Sequence, residues 1–192
     1  MPYADVLDEM VRQTRRKLDA YQALGKTSDE PNIAFTGTTI TVDELTTHSR
    51  SEASLHRWDL VGDDALGDEL LAEPALTAHA VKILNRMPVL AESAHSMAAR
   101  AAASAPRPPR VVVRTPDSPD VRIDTAGVGY AELGGAETLD GDVIVTTDPA
   151  NRLLVLWGRR SAHRSIEIEG PADLAAALPA IVWPNAQPWP PA

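Results

Sequence analysis

The chain contains no cysteine. That single absence excludes disulfides, thiolate zinc sites and a cysteine nucleophile, and leaves imidazole and carboxylate as the strong metal ligands. Aromatic residues are scarce at 4%, with one Phe, so the core has to come from Leu, Val, Ile and Ala. Such a core buries less apolar area per residue and depends more on each large side chain. No apolar run approaches the roughly 18 residues of a membrane span, and the opening MPYADVLDEM lacks the apolar centre of a signal peptide. A soluble, cytoplasmic protein with no membrane partner is expected. An excess of base is missing as well: Lys and Arg number 18 against 27 Asp and Glu, a net charge of −9, and acid outnumbers base on both sides of residue 105. A phosphate backbone would be repelled, so no nucleic-acid partner is expected. Nucleophile and phosphate-loop motifs are absent too. There is no G-x-S-x-G, and Gly127, Gly129, Gly134 and Gly135 lack the strand-to-helix setting of a dinucleotide loop.

What remains is 192 residues of ordinary globular composition, 44% hydrophobic and 23% charged, enough for one large domain or two small ones. From Ala4 to Leu24 the apolar residues recur at three-and-four spacing, with Arg12, Arg15, Arg16 and Lys17 opposite, which predicts an amphipathic helix stopped by Gly25. Residues 26–40 read as a polar loop with a short extended piece at Ile33–Phe35. Thr41 with Glu44 three positions on predicts a capped helix start, and that helix runs to about Leu60. A third helical stretch covers about Gly67 to Arg86, with Pro74 in its first turn or dividing it. An Ala-rich helix follows Pro88 and runs to about Ala103.

After the proline-rich 104–110 segment the period changes. Val111–Arg114, Val121–Ile123, Asp142–Val145 and Ser165–Glu169 read as strands. Thr147-Asp148-Pro149 opens one helix and Gly170-Pro171-Ala172-Asp173 another, and the proline-rich tail has no regular structure. The fold class is therefore α+β: a helical domain over 1–105, then a small α+β domain over 106–192. The helical part offers three or four helices, where a self-standing bundle needs about four to close its core, and it reads as short by a helix or two.

The strongest chemical signal is Glu52 and His56. Four apart on a helix, they project side by side and can give one carboxylate oxygen and one imidazole nitrogen to the same divalent ion. Zinc accepts both at about 2.0–2.2 Å, and nickel, manganese or iron can use the same pair. His48 lies four residues before Glu52, but His48 and His56 stand roughly 12 Å apart along the axis, so both are not expected on one ion. Read from spacing alone, Glu52 and His56 also suit an ordinary surface hydrogen bond. His79 and His95 are further candidates for a third ligand, with a surface position as their default. Asp59 either orients His56 or caps the helix end, and Trp58 and Trp157 read as core. Arg159 and Arg160 either clamp an anion or complement a helix dipole.

The string Glu52-Ala-Ser-Leu-His56-Arg57-Trp58-Asp59-Leu60, behind the T-V-D-E-L helix start, resembles the metal-binding helix of the mycothiol-dependent maleylpyruvate isomerase family of actinobacteria. Leu153-Leu154-Val155-Leu156-Trp157-Gly158-Arg159-Arg160, followed by Ile166-Glu167-Ile168-Glu169-Gly170 and a short helix, is similar to that family's second domain. The resemblance runs from the first helix to about Ile181. It implies a DinB-like helical bundle followed by a sterol-carrier-like α+β domain. It implies Glu52 and His56 as metal ligands and mycothiol as a thiol cofactor. From the residues themselves, zinc is the expected metal, and Arg159, directly after Gly158, is the expected catalytic residue toward a small-molecule substrate. In the family a His from an earlier helix completes the ligand set, and the thiolate adds to a substrate double bond so that it can rotate. No such His precedes the helix that begins near Ala4, so the expectation is a bundle lacking its N-terminal helices and a metal site impaired for isomerase or transferase chemistry. Dimerisation through the open bundle face would supply cover. The alternative expectation is a non-catalytic remnant that binds a small apolar ligand or a protein partner.

Overall fold

The computed structural model describes residues 3–24, 33–35, 37–86, 97–126, 131–135 and 138–183. The expectations for His95, the start of the Ala-rich helix, Gly127, Gly129 and the tail lie outside them. The described residues form two compact units, 1–47 and 48–192, with the boundary inside one helix.

The first unit holds α1 (Tyr3–Leu24), the strands β1 (Ile33–Phe35) and β2 (Thr38–Ile40), and the first residues of α2 (Val42–Val61). Arg12, Arg15, Arg16 and Lys17 are exposed along α1. The predicted extended piece has a partner: β1 and β2 pair antiparallel from Ile33↔Ile40 to Phe35↔Thr38. Gly37 supplies the positive φ of 84° that so short a connection requires. The start of α2 is the reciprocal cap expected from Thr41 and Glu44. Glu44 N donates to Thr41 Oγ1 at 3.1 Å, and Thr41 N donates to Glu44 Oε2 at 3.0 Å.

The second unit continues α2 and adds α3 (Ala65–Leu71), α4 (Pro74–Arg86) and α5 (Met97–Ser104). A five-stranded sheet follows, formed by β3 (Arg110–Arg114), β4 (Val121–Asp124), β5 (Ala131–Leu133), β6 (Val143–Thr146) and β7 (Glu167–Glu169). Two further helices are α6 (Pro149–Leu156), between β6 and β7, and α7 (Ala172–Val182). The sheet order is β5-β4-β3-β6-β7, with β3 and β6 parallel and every other neighbouring pair antiparallel. The α+β class is as expected. Val111, Val112 and Val113 of the central strand β3 are all buried, as a strand covered on both faces requires. By contrast, β6 alternates buried and half-buried residues.

Of the two alternatives for Pro74, the dividing one holds: the chain leaves helical geometry between Leu71 and Pro74, and Pro74 starts a second helix. Two expectations change in detail. β5 was not expected at all; it pairs with β4 from Val121↔Leu133 to Ile123↔Ala131. The strand expected from Ser165 begins only at Glu167.

Helices α3 and α4 pack on α6, and α5 packs on α7. One buried apolar cluster runs from Leu55, Leu71, Leu76 and Leu84 through Val111, Ile123 and Val145 to Leu154, Leu178 and Trp183. Residue 105, the expected domain boundary, thus falls inside the second unit, with this cluster continuous on both sides. Among the described residues no helix is long and apolar enough to cross a membrane.

Candidate functional site

Helix α2 carries His48, Glu52, His56 and Asp59 at spacings of four, four and three, so a single face presents all of them. Two other segments meet that face. Helix α4 brings His79, which is buried, and the turn after α6 brings Trp157 and Arg159.

That turn has a sequence cause. Helix α6 is capped at its start by Asp148, whose side chain accepts from Asn151 N at 2.9 Å, with Pro149 following. It stops at Gly158, whose φ of 71° is left-handed. Gly158 N donates to Val155 O at 3.0 Å and Arg159 N donates to Leu154 O at 2.8 Å. These paired bonds satisfy the last carbonyls and reverse the chain, so that Arg159 leaves the helix end pointing back toward α2.

Arg159 closes on Asp59. Its Nε donates to Oδ1 at 2.7 Å and its Nη2 to Oδ2 at 2.8 Å. These bonds hold the Asp59 carboxyl below its ordinary range against the upward push of burial, and His56 adds to the effect. The same bonds raise the Arg159 pKa. Asp59 Oδ2 also lies 3.0 Å from His56 Nδ1. An ionised carboxylate can only accept, so Nδ1 carries the hydrogen in this pair. The second ring nitrogen, Nε2, faces Glu52 Oε2 at 3.3 Å.

On the other side of Glu52, His48 Nε2 stands 3.8 Å from Oε1, and His48 Nδ1 faces His79 Nε2 at 3.3 Å. The Trp157 ring lies against His48, with centroids 6.4 Å apart, and its Nε1 is buried without a partner among the described residues. The result is a continuous polar line, His79–His48–Glu52–His56–Asp59–Arg159, in which each ring nitrogen of His48 and His56 has a facing group.

A second carboxylate pins the same turn. Asp63 accepts from Trp58 Nε1 at 2.8 Å, from Arg164 Nε at 2.9 Å and from the Ser161 hydroxyl. Burial pushes Asp63 upward, but bonds from Ser161, Trp58 and Arg164 outweigh it and leave the carboxyl below its ordinary value. Arg164 also reaches Asp148 at 3.0 Å and Asp68, and its pKa is raised by these carboxylates despite burial. Asp59 and Asp63, four apart at the end of α2, therefore fasten residues 159–164 at two points.

Several expectations can be placed on this geometry. Glu52 and His56 lie side by side, as their spacing predicts. Asp59 does bond His56. Trp58 and Trp157 are half-buried and pack on the core. His79, expected at the surface, is 5% exposed because it shares the apolar side of α4 with Leu76, Ala80 and Ile83. Arg159 reaches across to α2, but the anion it clamps is the chain's own Asp59. Arg160 turns elsewhere, its guanidinium lying 5.3 Å from the Trp183 ring centroid. Sequence reasoning did not bring forward Asp63, Ser161 and Arg164, whose pairing spans about a hundred positions and leaves no local pattern. Among the described residues, no set of three or more His, Cys, Asp or Glu side chains converges as a ready-made metal site. Glu52 with His56 does fit an open site: an oxygen and a nitrogen donor of the kinds zinc takes, with the second imidazole nitrogen anchored on a carboxylate. No family model, curated protein or solved structure matches the chain.

Proposed function

We propose that this chain binds a divalent metal, zinc by preference, through Glu52 and His56, on a DinB-like bundle joined to a sterol-carrier-like half. On this reading it acts as a thiol-dependent isomerase or transferase of the mycothiol-dependent maleylpyruvate isomerase type on a small-molecule substrate. One observation carries the reading. With Nδ1–H committed to Asp59, a neutral His56 aims its Nε2 lone pair at the Glu52 carboxylate 3.3 Å away. Two acceptors facing each other at that distance repel unless a cation lies between them. A metal ion and a proton are the two cations that suit the gap.

The roles of the side chains follow. Glu52 and His56 bind the ion. Asp59 fixes the tautomer and orientation of His56 and raises its basicity as a ligand. Arg159 neutralises Asp59 and holds it in place. Any donor N–H of Arg159 not engaged by Asp59 can meet a carboxylate on a substrate, as the anion-clamp reading of this arginine expects. A bound divalent ion supplies a Lewis acid that favours the thiolate form of a thiol and polarises a carbonyl. With two protein ligands the ion is held loosely and most of its shell is open to a thiol or water.

The alternative, a non-catalytic protein that takes an apolar ligand or a protein partner, is favoured by Leu60 at 79% exposure beside the exposed Val61 and Leu66. Metal analysis of purified protein separates the two. Near-stoichiometric zinc in the wild type that is lost in both Glu52→Ala and His56→Ala supports the metal reading. Trace metal, unchanged in either variant, overturns it.

A further inference from the structure

We propose that the buried guanidinium of Arg152 anchors an anion site that takes a small inorganic oxyanion or a carboxylate group beneath the turn joining β3 to β4. Arg152 stands in the first turn of α6, at the end opposite Trp157 and Arg159, and the inference is independent of the metal reading.

The argument is one of charge and donor balance. Arg152 is 2% exposed. A guanidinium has five N–H donors, yet this one makes a single hydrogen bond among the described residues, from Nη1 to Pro119 O at 2.9 Å. Its Nε is buried with no partner. The carboxylate whose charge acts on it is Asp120, but Asp120 is already committed. Arg114 holds it through Nη2 at 2.9 Å and through Nε at 3.2 and 3.3 Å, and Leu139 N donates to it at 3.0 Å. Arg114 also feels Glu169 and Asp140, whereas Arg152 is left with a share of Asp120 alone, and a guanidinium so withdrawn from water is unfavourable unless a counter-charge arrives. Burial lowers the Arg152 pKa accordingly, with Asp120 opposing.

The neighbouring turn adds a second unsatisfied group. Thr115, at the start of the turn that contains Pro119 and Asp120, is buried, and its hydroxyl has no partner. Residues 116 and 117 of that turn are exposed. A planar fork of donors matches the spacing of two oxygens on a carboxylate or oxyanion.

The test is thermal unfolding of the full chain in sodium phosphate, sodium acetate and sodium chloride, with ionic strength held constant by a bulky sulfonate. Phosphate or acetate is expected to raise Tm saturably, by roughly 5–10 °C at a hundredfold excess over Kd. Arg152→Met is expected to abolish that rise, and Arg152→Lys, which keeps the charge but loses the fork, to move the half-saturating concentration up by about tenfold. Should Arg152→Met fail to fold, Arg152→Lys alone decides. A wild-type Tm indifferent to all three anions, the same rise in Arg152→Met, or an unshifted midpoint in Arg152→Lys overturns the proposal.

Discussion

Arg159 holds Asp59 by two parallel bonds, Nε to Oδ1 at 2.7 Å and Nη2 to Oδ2 at 2.8 Å, although the two residues stand 100 positions apart. The pair sets the chemistry of its neighbour. A carboxylate kept ionised and rigid obliges His56 to present Nδ1–H to it, which frees Nε2 for Glu52 and whatever sits beside it.

Replacing that carboxylate tests the orienting role. Asp59→Asn retains the shape but loses the charge, and if the chain binds zinc as proposed, the affinity is expected to fall by about 10–100-fold. Competition with a chromophoric chelator measures it. Affinity equal to that of the wild type would leave Asp59 as a helix-end residue only.

The turn that delivers Arg159 depends on a left-handed residue. A Cβ on Gly158 would meet Val182 O at 3.5 Å, an ordinary contact, so the cost of Gly158→Ala is conformational. About 1–2 kcal/mol is expected, read as a lower urea midpoint with an unchanged slope. A midpoint within error of the wild type would show that the turn tolerates a side chain.

Asp63 is the other fastening. Asp63→Asn keeps one acceptor for three donors and weakens the charge facing Arg164, which is largely buried. A loss of about 1–3 kcal/mol is expected. A double-mutant cycle with Ser161→Ala should give a coupling above about 0.5 kcal/mol, and strict additivity would refute a shared hub.

Acid should cost stability at Asp142. Arg107 donates to it at 2.8 Å and Arg110 N at 2.8 Å, and these bonds lower its carboxyl from 3.8 to about 2. A lowered folded-state value means that the stabilisation is complete above pH 3.8 and fades as pH falls through that value toward about 2. Arg107 is more than half exposed, so solvent screens the pair and about 1 kcal/mol is expected. Asp142→Asn should lower Tm at pH 6 and leave a shallower dependence between pH 4 and 2. Parallel pH profiles for variant and wild type would remove Asp142 from the acid response.

Legibility followed locality. The cap at Thr41 and Glu44 and the Asp148-Pro149 start are signals carried by a few consecutive residues, and each stands where its chemistry predicts. Glu52 beside His56 is legible for the same reason, since four residues make one turn. β5 is not legible: Ala-Glu-Leu has no β-branched residue, and the strand exists through pairing with β4. His79 misled because a lone histidine defaults to the surface. Its position three after Leu76 and four before Ile83, both buried, was the available sign that it lies on the packed side of α4. The partners of Asp59 and Asp63 could not be read, because nothing along the chain records which arginine returns to which aspartate.

The twin anchorage at Asp59 and Asp63 has an evolutionary corollary. A recombination event that exchanged everything after residue 106 would import a foreign arginine, serine and arginine against resident aspartates. The inherited imidazole would then stand beside a carboxylate with no counter-ion. Gene fusion or domain shuffling at the proline-rich 104–110 segment would therefore break both anchorages unless both aspartates travel with their distant partners.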